Sequence, residues 1–156
     1  MAITERLMAC TPQQVFDVLL DAYLYKHWVV GAKDIRGADP HWPAIGATFY
    51  HRLGTAQAHL KDKSEILDLE VPHRIELRIY ARPLGIGRVI ITARPTDDGT
   101  IVSIKEDPEI GTKLRPLGPL INPLTHIRNL ESLRRLEKVI SIRRVSQPAV
   151  TAGVSG

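Results

Sequence analysis

The spacing of hydrophobic positions along this chain switches between alternation and helical recurrence, and each switch marks an element. Residues 2–8, AITERLM, alternate: Ile3, Glu5 and Leu7 fall on one side, Thr4, Arg6 and Met8 on the other. That is the signature of a short strand. At Thr11 the spacing changes. Thr11 is placed to N-cap a helix, and Pro12 takes the first position, where its missing N–H costs nothing. Gln14 can reach back to close a capping box, with Cys10 and Val15 in the staple positions. Val15, Phe16, Leu19, Leu20 and Tyr23 then recur at helical spacing and predict one inward face. Tyr25, His27 and Trp28 fall where that helix ends, so Tyr23 reads as core and Trp28 as part core, part rim.

From Gly31 to Pro43 the periodicity dissolves into Gly, Asp and Pro, with a short strand expected around KDIRG. Strands follow. GATFYHRL (46–53) alternates, and AHLKDKSEILDLE (58–70) is long and ends at Val71–Pro72, because proline cannot donate to a ladder. HRIELRIYARP (73–83) sets Ile75, Leu77 and Ile79 against Glu76, Arg78 and Tyr80. GRVIITARP (87–95) and TIVSIKED (100–107) are joined by TDDG, a hairpin-type turn. Short turns between successive strands imply an antiparallel meander.

The Gly/Pro-rich stretch 108–122 reads as a long loop of the kind that often serves function. Asn122 is expected to cap a second helix, with Pro123 at its first position and Ile142 near its end. Leu124, Ile127, Leu130, Leu133, Leu136, Val139 and Ile140 form its broad apolar arc. Strand, helix, five or six antiparallel strands and one long helix make an α+β fold. The tail from residue 145 is small and polar, and is expected to be disordered.

Composition narrows this little. The 156 residues suit one domain, with ordinary apolar (44%) and charged (24%) fractions. No apolar run is long enough to span a membrane, and the first residues lack a secretion pattern. The single cysteine, Cys10, rules out an internal disulfide and fits a reducing, cytoplasmic setting. The formal charge is +4, concentrated in RNLESLRRLEKVISIRR. Glu131 and Glu137 are interspersed there and base-stacking aromatics are missing, so a solvated face is favoured and no nucleic-acid partner is expected.

The segments ITERLMACTPQQVFDVLLDAYLYKHW, SEILDLEVPHRIELRIYARPLG, DDGTIVSIKED and RNLESLRRLEKVI, in this order, resemble the START-like (SRPBCC) ligand-binding superfamily, within it the polyketide cyclase/dehydrase-like group. The resemblance spans about residues 2–142. It implies a helix-grip fold, a curved antiparallel sheet wrapped around a long C-terminal helix, as one domain over 1–144 with 145–156 as tail. It also implies a hydrophobic pocket between sheet and helix. Members bind lipids, sterols, polyketides or hormones, and a minority catalyse cyclisation or aromatisation, so fold alone does not choose among these.

Alternation places Val102, Ile104 and Glu106 inward, together with Ile75, Leu77, Ile79, Val89, Ile91 and Ala93, and Phe49 with His51. The ligand-lining candidates are Trp28, Trp42, Phe49, His51, Leu77, Ile79, Val89, Ile91, Val102, Ile104, Glu106, His126 and Leu130. Glu106 is the sharpest candidate for chemistry: a desolvated carboxylate there would have a raised pKa and suit a general acid or base. The competing reading pairs it with an arginine from the helix or loop. His51 and His126 could hydrogen-bond a ligand carbonyl, and structural roles are the commoner alternative. The histidines show no metal-ligand spacing, so no metal site and no cofactor are expected. LGIGR joins two strands and is not a dinucleotide loop; Ser103 lacks a nucleophile elbow. Cys10, at a helix N-terminus, is a candidate for a lowered pKa, against a packing role.

Three functions fit these residues: a binder of a hydrophobic small molecule, a cyclase or aromatase using Glu106 and His51, and a protein- or ribosome-contacting module using the basic helix end. A homodimer through sheet edges or the exposed helix face is compatible with the pattern without being required by it.

Overall fold

The structure, a computed structural model, describes residues 2–55, 58–81, 85–109 and 118–146. Strand β1 (Ala2–Met8) leads into helix α1 (Pro12–Leu19), a 3₁₀ turn (Ala22–Leu24) and the single turn α2 (Tyr25–Trp28). Six strands follow: β2 (Ala32–Ala38), β3 (Thr48–Thr55), β4 (Ala58–Glu70), β5 (Arg74–Ala81), β6 (Gly85–Thr96) and β7 (Gly99–Glu109). The long helix α3 (Gly118–Ser146) closes the described chain. All neighbours pair antiparallel, in the order β1-β7-β6-β5-β4-β3-β2. β2 to β7 form the meander expected from the short turns. β1 then pairs with β7, so that the open sheet places the first strand beside the last. This is the α+β helix-grip arrangement.

Local chemistry explains the start of α1. The Thr11 side chain accepts from the Gln14 backbone N–H at 3.2 Å, and the Gln14 side chain accepts from the Thr11 N–H at 3.0 Å. Two N–H groups that a helix end leaves without a backbone partner are thus satisfied. Val15, Phe16, Val18 and Leu19 are buried by the same turn of chain.

Beyond Leu19 the helical phase is lost, and the aromatic assignments change with it. The 3₁₀ turn, capped by Asp21 accepting from the Tyr23 N–H at 3.1 Å, rotates the following residues. Tyr23 is therefore exposed (62%), contrary to its expected place in the core, and Tyr25 is buried. β1 likewise turns Ala2, Thr4 and Met8 inward and leaves Ile3 and Leu7 about half exposed.

The last helix also departs from expectation. It starts at Gly118, with Pro123 inside it, so Asn122 is not its cap. A proline so near a helix N-terminus forfeits one backbone bond beside a turn whose N–H groups already lack intrahelical partners. Of the segment expected as a long loop, 110–117 lies outside the described residues, while 118–122 belongs to α3 and 108–109 to β7. The helix continues past Ile142 to Ser146; the rest of the expected tail lies outside the described residues. Its buried face is Asn129, Ser132, Leu133, Leu136 and Ile140, whereas Leu124, Ile127 and Leu130 are exposed. A spacing of three falls short of a full helical turn, so 124, 127 and 130 drift around the cylinder, away from the face kept by 129, 133, 136 and 140.

The core lies between the concave sheet face, α1, α2 and this helical face. The pairing registers arrange the concave face in rows. Thr4, Ile104, Ile91 and Ile75 form one, and Ala2, Glu106, Val89, Leu77 and Ile66 the next. Phe49, Ser64, Ile79 and Gly87 form a third, with His51 opposite Asp62 beyond it. The backbone of α3 makes its close approaches to β1, α1 and α2 rather than to the middle strands.

Candidate functional site

The inward positions expected from alternation are buried: Phe49, His51, Ile75, Leu77, Val89, Ile91, Ala93, Val102 and Ile104. Ile79 is partly buried against the same core. Across β5, β6 and β7 this surface is almost wholly aliphatic. Toward β3 and β4 it becomes aromatic and polar, because β3 contributes Phe49 and His51 while β4 contributes Asp62 and Ser64.

Tyr25 is the centre of that polar end. Its ring stacks on His51 (centroids 5.2 Å apart, planes at 29°) and meets Phe49 and Trp28 edge-on at 4.8 and 5.5 Å. Trp42 adds an edge contact to Phe49 at 4.9 Å. Five rings, from α2, β3 and the β2–β3 connection, thus form one cluster, in geometries that quadrupoles favour. Burial pushes the Tyr25 hydroxyl pKa up to about 12. The nearby Arg128 guanidinium and the hydrogen-bonded Ser64 oppose that rise, and the Glu106 and Asp62 carboxylates add to it. The hydroxyl therefore stays protonated at neutral pH.

His51 Nε2 and Ser64 Oγ share a hydrogen bond at 2.9 Å. Burial first, and the Arg36 guanidinium second, hold the imidazole pKa down to about 4. His51 is thus neutral at pH 7. Its Nδ1 finds no hydrogen-bond partner among the described residues, and neither do Trp28 Nε1 and Asn129 Nδ2. The other indole behaves differently: Trp42 Nε1 donates to the Leu20 carbonyl at 2.7 Å.

The low imidazole pKa has a measurable consequence. An unfolded histidine binds its proton near pH 6.5, the folded one near 4. The contribution is therefore complete above pH 6.5 and is lost as the pH falls from there toward 4, to a total of about 3 kcal/mol. Urea midpoints measured from pH 7 to 4 should fall over this window. The His51→Gln variant should lack this part of the slope; parallel curves for the two proteins would assign the acid sensitivity to other groups.

Glu106, on β7, is near enough for its carboxylate to act on the Tyr25 hydroxyl. Both of its carboxylate oxygens accept from Arg128 Nη2, at 2.5 and 2.6 Å, which is the paired reading and not an isolated carboxylate. His126, two residues before Glu106's arginine on α3, shares a hydrogen bond with the buried Thr4 at 2.9 Å and is itself exposed. Leu130 is 40% exposed. The structure thus gathers Trp28, Trp42, Phe49 and His51 in one cluster, with Glu106 at its electrostatic edge, and leaves His126 and Leu130 at the periphery.

Tyr25, Asp62 and Ser64 adjoin this cluster and Asn129 lies on the buried face of α3; none of the four was among the expected ligand-lining residues. Alternation carried the signal for two of them: Asp62 and Ser64 are in phase with Ile66 on β4. Asn129 is in phase with Leu133 and Leu136, and a polar residue on a buried helical face is informative. Cys10 is the reverse case. Burial raises its thiol pKa and outweighs the lowering by Arg144, and the side chain packs against the core, so its surroundings fit the packing role and not the activated thiolate.

The basic helix end is engaged internally. Arg144 donates to the Ala9 carbonyl at 2.6 Å and Arg143 to the Asp17 carbonyl at 3.1 Å. Arg135 pairs with Glu131, and Arg6 of β1 with Glu137. Among the described residues no group of His, Cys, Asp and Glu is arranged to hold a metal ion, and no helix is long and apolar enough to cross a membrane.

Residues 3–140 match the profile of a family described as polyketide cyclase / dehydrase and lipid transport. Solved structures share the fold at low identity. A protein from Nitrosomonas europaea superposes with a TM-score of 0.69 at 17% identity, over 92% of this chain and 95% of that one. A Staphylococcus aureus protein of unknown function gives 0.73 at 12%, over 94% and 95%. The di-domain ARO/CYC StfQ from the steffimycin biosynthetic pathway gives 0.72 at 14%, over 93% of this chain and 51% of that one. Comparison with curated protein sequences finds no match.

Proposed function

This chain belongs to the polyketide cyclase / dehydrase and lipid transport family, and on that premise we propose that it binds a hydrophobic small molecule, lipid or polyketide-like, between the sheet and α3. The observation that carries this reading is the division of the concave face. An aliphatic field on β5, β6 and β7 runs into an aromatic, hydrogen-bonding end at Trp28, Tyr25, Phe49 and His51. Small-molecule sites have this constitution: mostly apolar walls and a few polar groups that set orientation. Phe49, Leu77, Ile79, Val89, Ile91, Val102 and Ile104 supply the wall in this proposal, with Trp28 and His51 at its polar end, Trp42 behind Phe49, and Glu106, His126 and Leu130 toward the rim.

A cyclase or aromatase using Glu106 and His51 is the second reading. It is favoured by the nearness of Glu106, Arg128 and Asp62 to the Tyr25 hydroxyl. Two observations weigh against it. An imidazole with a pKa of about 4 is a weak base toward a carbon-bound proton at neutral pH, and the Glu106 carboxylate is already engaged by Arg128. If this reading holds, Glu106→Gln abolishes turnover and spares binding; turnover that survives the substitution removes it.

Binding is tested with 1-aminoanthracene. In the Trp42→Phe variant the emission comes from Trp28 alone, since the chain has two tryptophans. Titration should quench it saturably at one probe per chain, with the same stoichiometry in native mass spectrometry. A linear, non-saturating response, or no adduct, would contradict the proposal.

A further inference from the structure

We propose that the buried part of the ligand carries an uncharged oxygen acceptor, such as a ketone, ester or ether oxygen, which Trp28 and Asn129 recognise. This inference rests on the ligand-binding reading above and narrows it. Trp28 is 4% exposed and Asn129 3%, yet the indole N–H and the amide nitrogen have no acceptor among the described residues. A buried N–H without an acceptor is uncommon and costly in a folded protein.

His51 Nδ1 at this end is also without a partner among the described residues, but a ring nitrogen can donate or accept according to tautomer, whereas Trp28 Nε1 and Asn129 Nδ2 can only donate. Trp42, in the same aromatic cluster, donates to the Leu20 carbonyl. Ser132, one turn along α3 from Asn129, accepts from the Val30 N–H at 3.2 Å, fastening the chain just after α2 to the helix. That contact and the packing of α2 on α3 bring Trp28 and Asn129 to the same end of the site. An indole nitrogen can only donate, and the amide nitrogen offers two more donors. The complement to such a pair is an oxygen.

Charge decides which kind of oxygen. His51 is neutral at pH 7; of the two cations whose fields reach this end, Arg128 is held by both oxygens of Glu106 and Arg36 donates to the Asp62 carbonyl. Indole and amide donors are dipoles without net charge. A carboxylate buried against them would lose its hydration without gaining a counter-ion, whereas a carbonyl or ether oxygen loses far less. The site is matched to a neutral acceptor on an apolar frame, and is mismatched to a free acid or a plain hydrocarbon.

Three probes of one outline test this: fluorene, 9-fluorenone and fluorene-9-carboxylate, titrated into the full chain at pH 7. Fluorenone should bind at least about tenfold more tightly than fluorene, and the carboxylate most weakly. The two indole N–H signals are assigned with Trp28→Phe. The Trp28 proton should move downfield with fluorenone and stay in place with fluorene. Trp28→Phe and Asn129→Leu should each weaken fluorenone by roughly fivefold to tenfold, the worth of one hydrogen bond, and leave fluorene within about twofold. Fluorene binding as tightly as fluorenone, the carboxylate binding best, or an unmoved Trp28 signal with fluorenone bound would overturn this inference and leave the ligand-binding reading intact. Failure of all three probes to bind would overturn both.

Discussion

Gly99→Ala should destabilise the protein by about 4 kcal/mol, enough to leave little folded margin in a domain of this size. Gly99 opens β7 with φ at +143°, a conformation that side chains rarely adopt. A Cβ built there would lie 2.2 Å from the Met8 carbonyl oxygen, 3.1 Å from the Met8 carbonyl carbon and 3.3 Å from the Ala9 Cα. These are backbone atoms, so no rotamer change relieves the contact. The clash falls where β1 ends and the cap of α1 begins, next to the hydrogen bond from Thr100 Oγ1 to the Cys10 carbonyl at 2.7 Å. Strain in the backbone and displacement of this junction each cost about 1–3 kcal/mol, and they act together. Gly46 separates the two effects. It has φ at +84° but nothing within 4 Å of an added Cβ. Gly46→Ala should therefore cost only the conformational part, about 1–2 kcal/mol. Urea denaturation of both variants checks the ordering, and equal losses would refute the steric account.

Phe49→Ala should cost about 3–5 kcal/mol and also disable the proposed site. Phe49 is 2% exposed and touches the rings of Tyr25, Trp42 and His51 at once. Its removal takes away transfer energy, leaves a void and frees three neighbours to rotate. Because β3 lies one strand from the sheet edge, with only β2 outside it, partial collapse is the one available relief. Phe49→Leu retains most of the volume and should cost about 1–1.5 kcal/mol. Urea midpoints give the stabilities, and near-ultraviolet circular dichroism should show the aromatic signal reduced in the alanine variant while the far-ultraviolet signal persists. An unchanged aromatic signal would mean that the cluster does not depend on Phe49.

The success of alternation and the failure of helical extrapolation have the same origin. On β5, β6 and β7 a period of two cannot drift, so every position from Ile75 to Ile104 assigned inward is inward. Helical phase survives only while the helix does. α1 ends at Leu19, the 3₁₀ turn advances the chain differently, and Tyr23 and Tyr25 exchange their expected places. The same drift moved Leu124, Ile127 and Leu130 off the buried face of α3. Pro123 misled in another way, since a proline that suits the first position of a helix is also tolerated a turn later.

Local chemistry, then, was enough to determine the element order, the Thr11–Gln14 capping box, the meander and the inward aliphatic set. Each depends on residues a few positions apart and on periods set by backbone geometry. The tertiary structure decided how the polar groups are matched. It paired Glu106 with Arg128, Thr4 with His126, and His51 with Ser64, and it left the Trp28 and Asn129 donors without acceptors among the described residues. A hydrophobic side chain needs only to be inside, and any apolar neighbour will serve. A buried donor or charge needs one partner at one distance, and that partner is chosen by strand register and helix placement far along the chain.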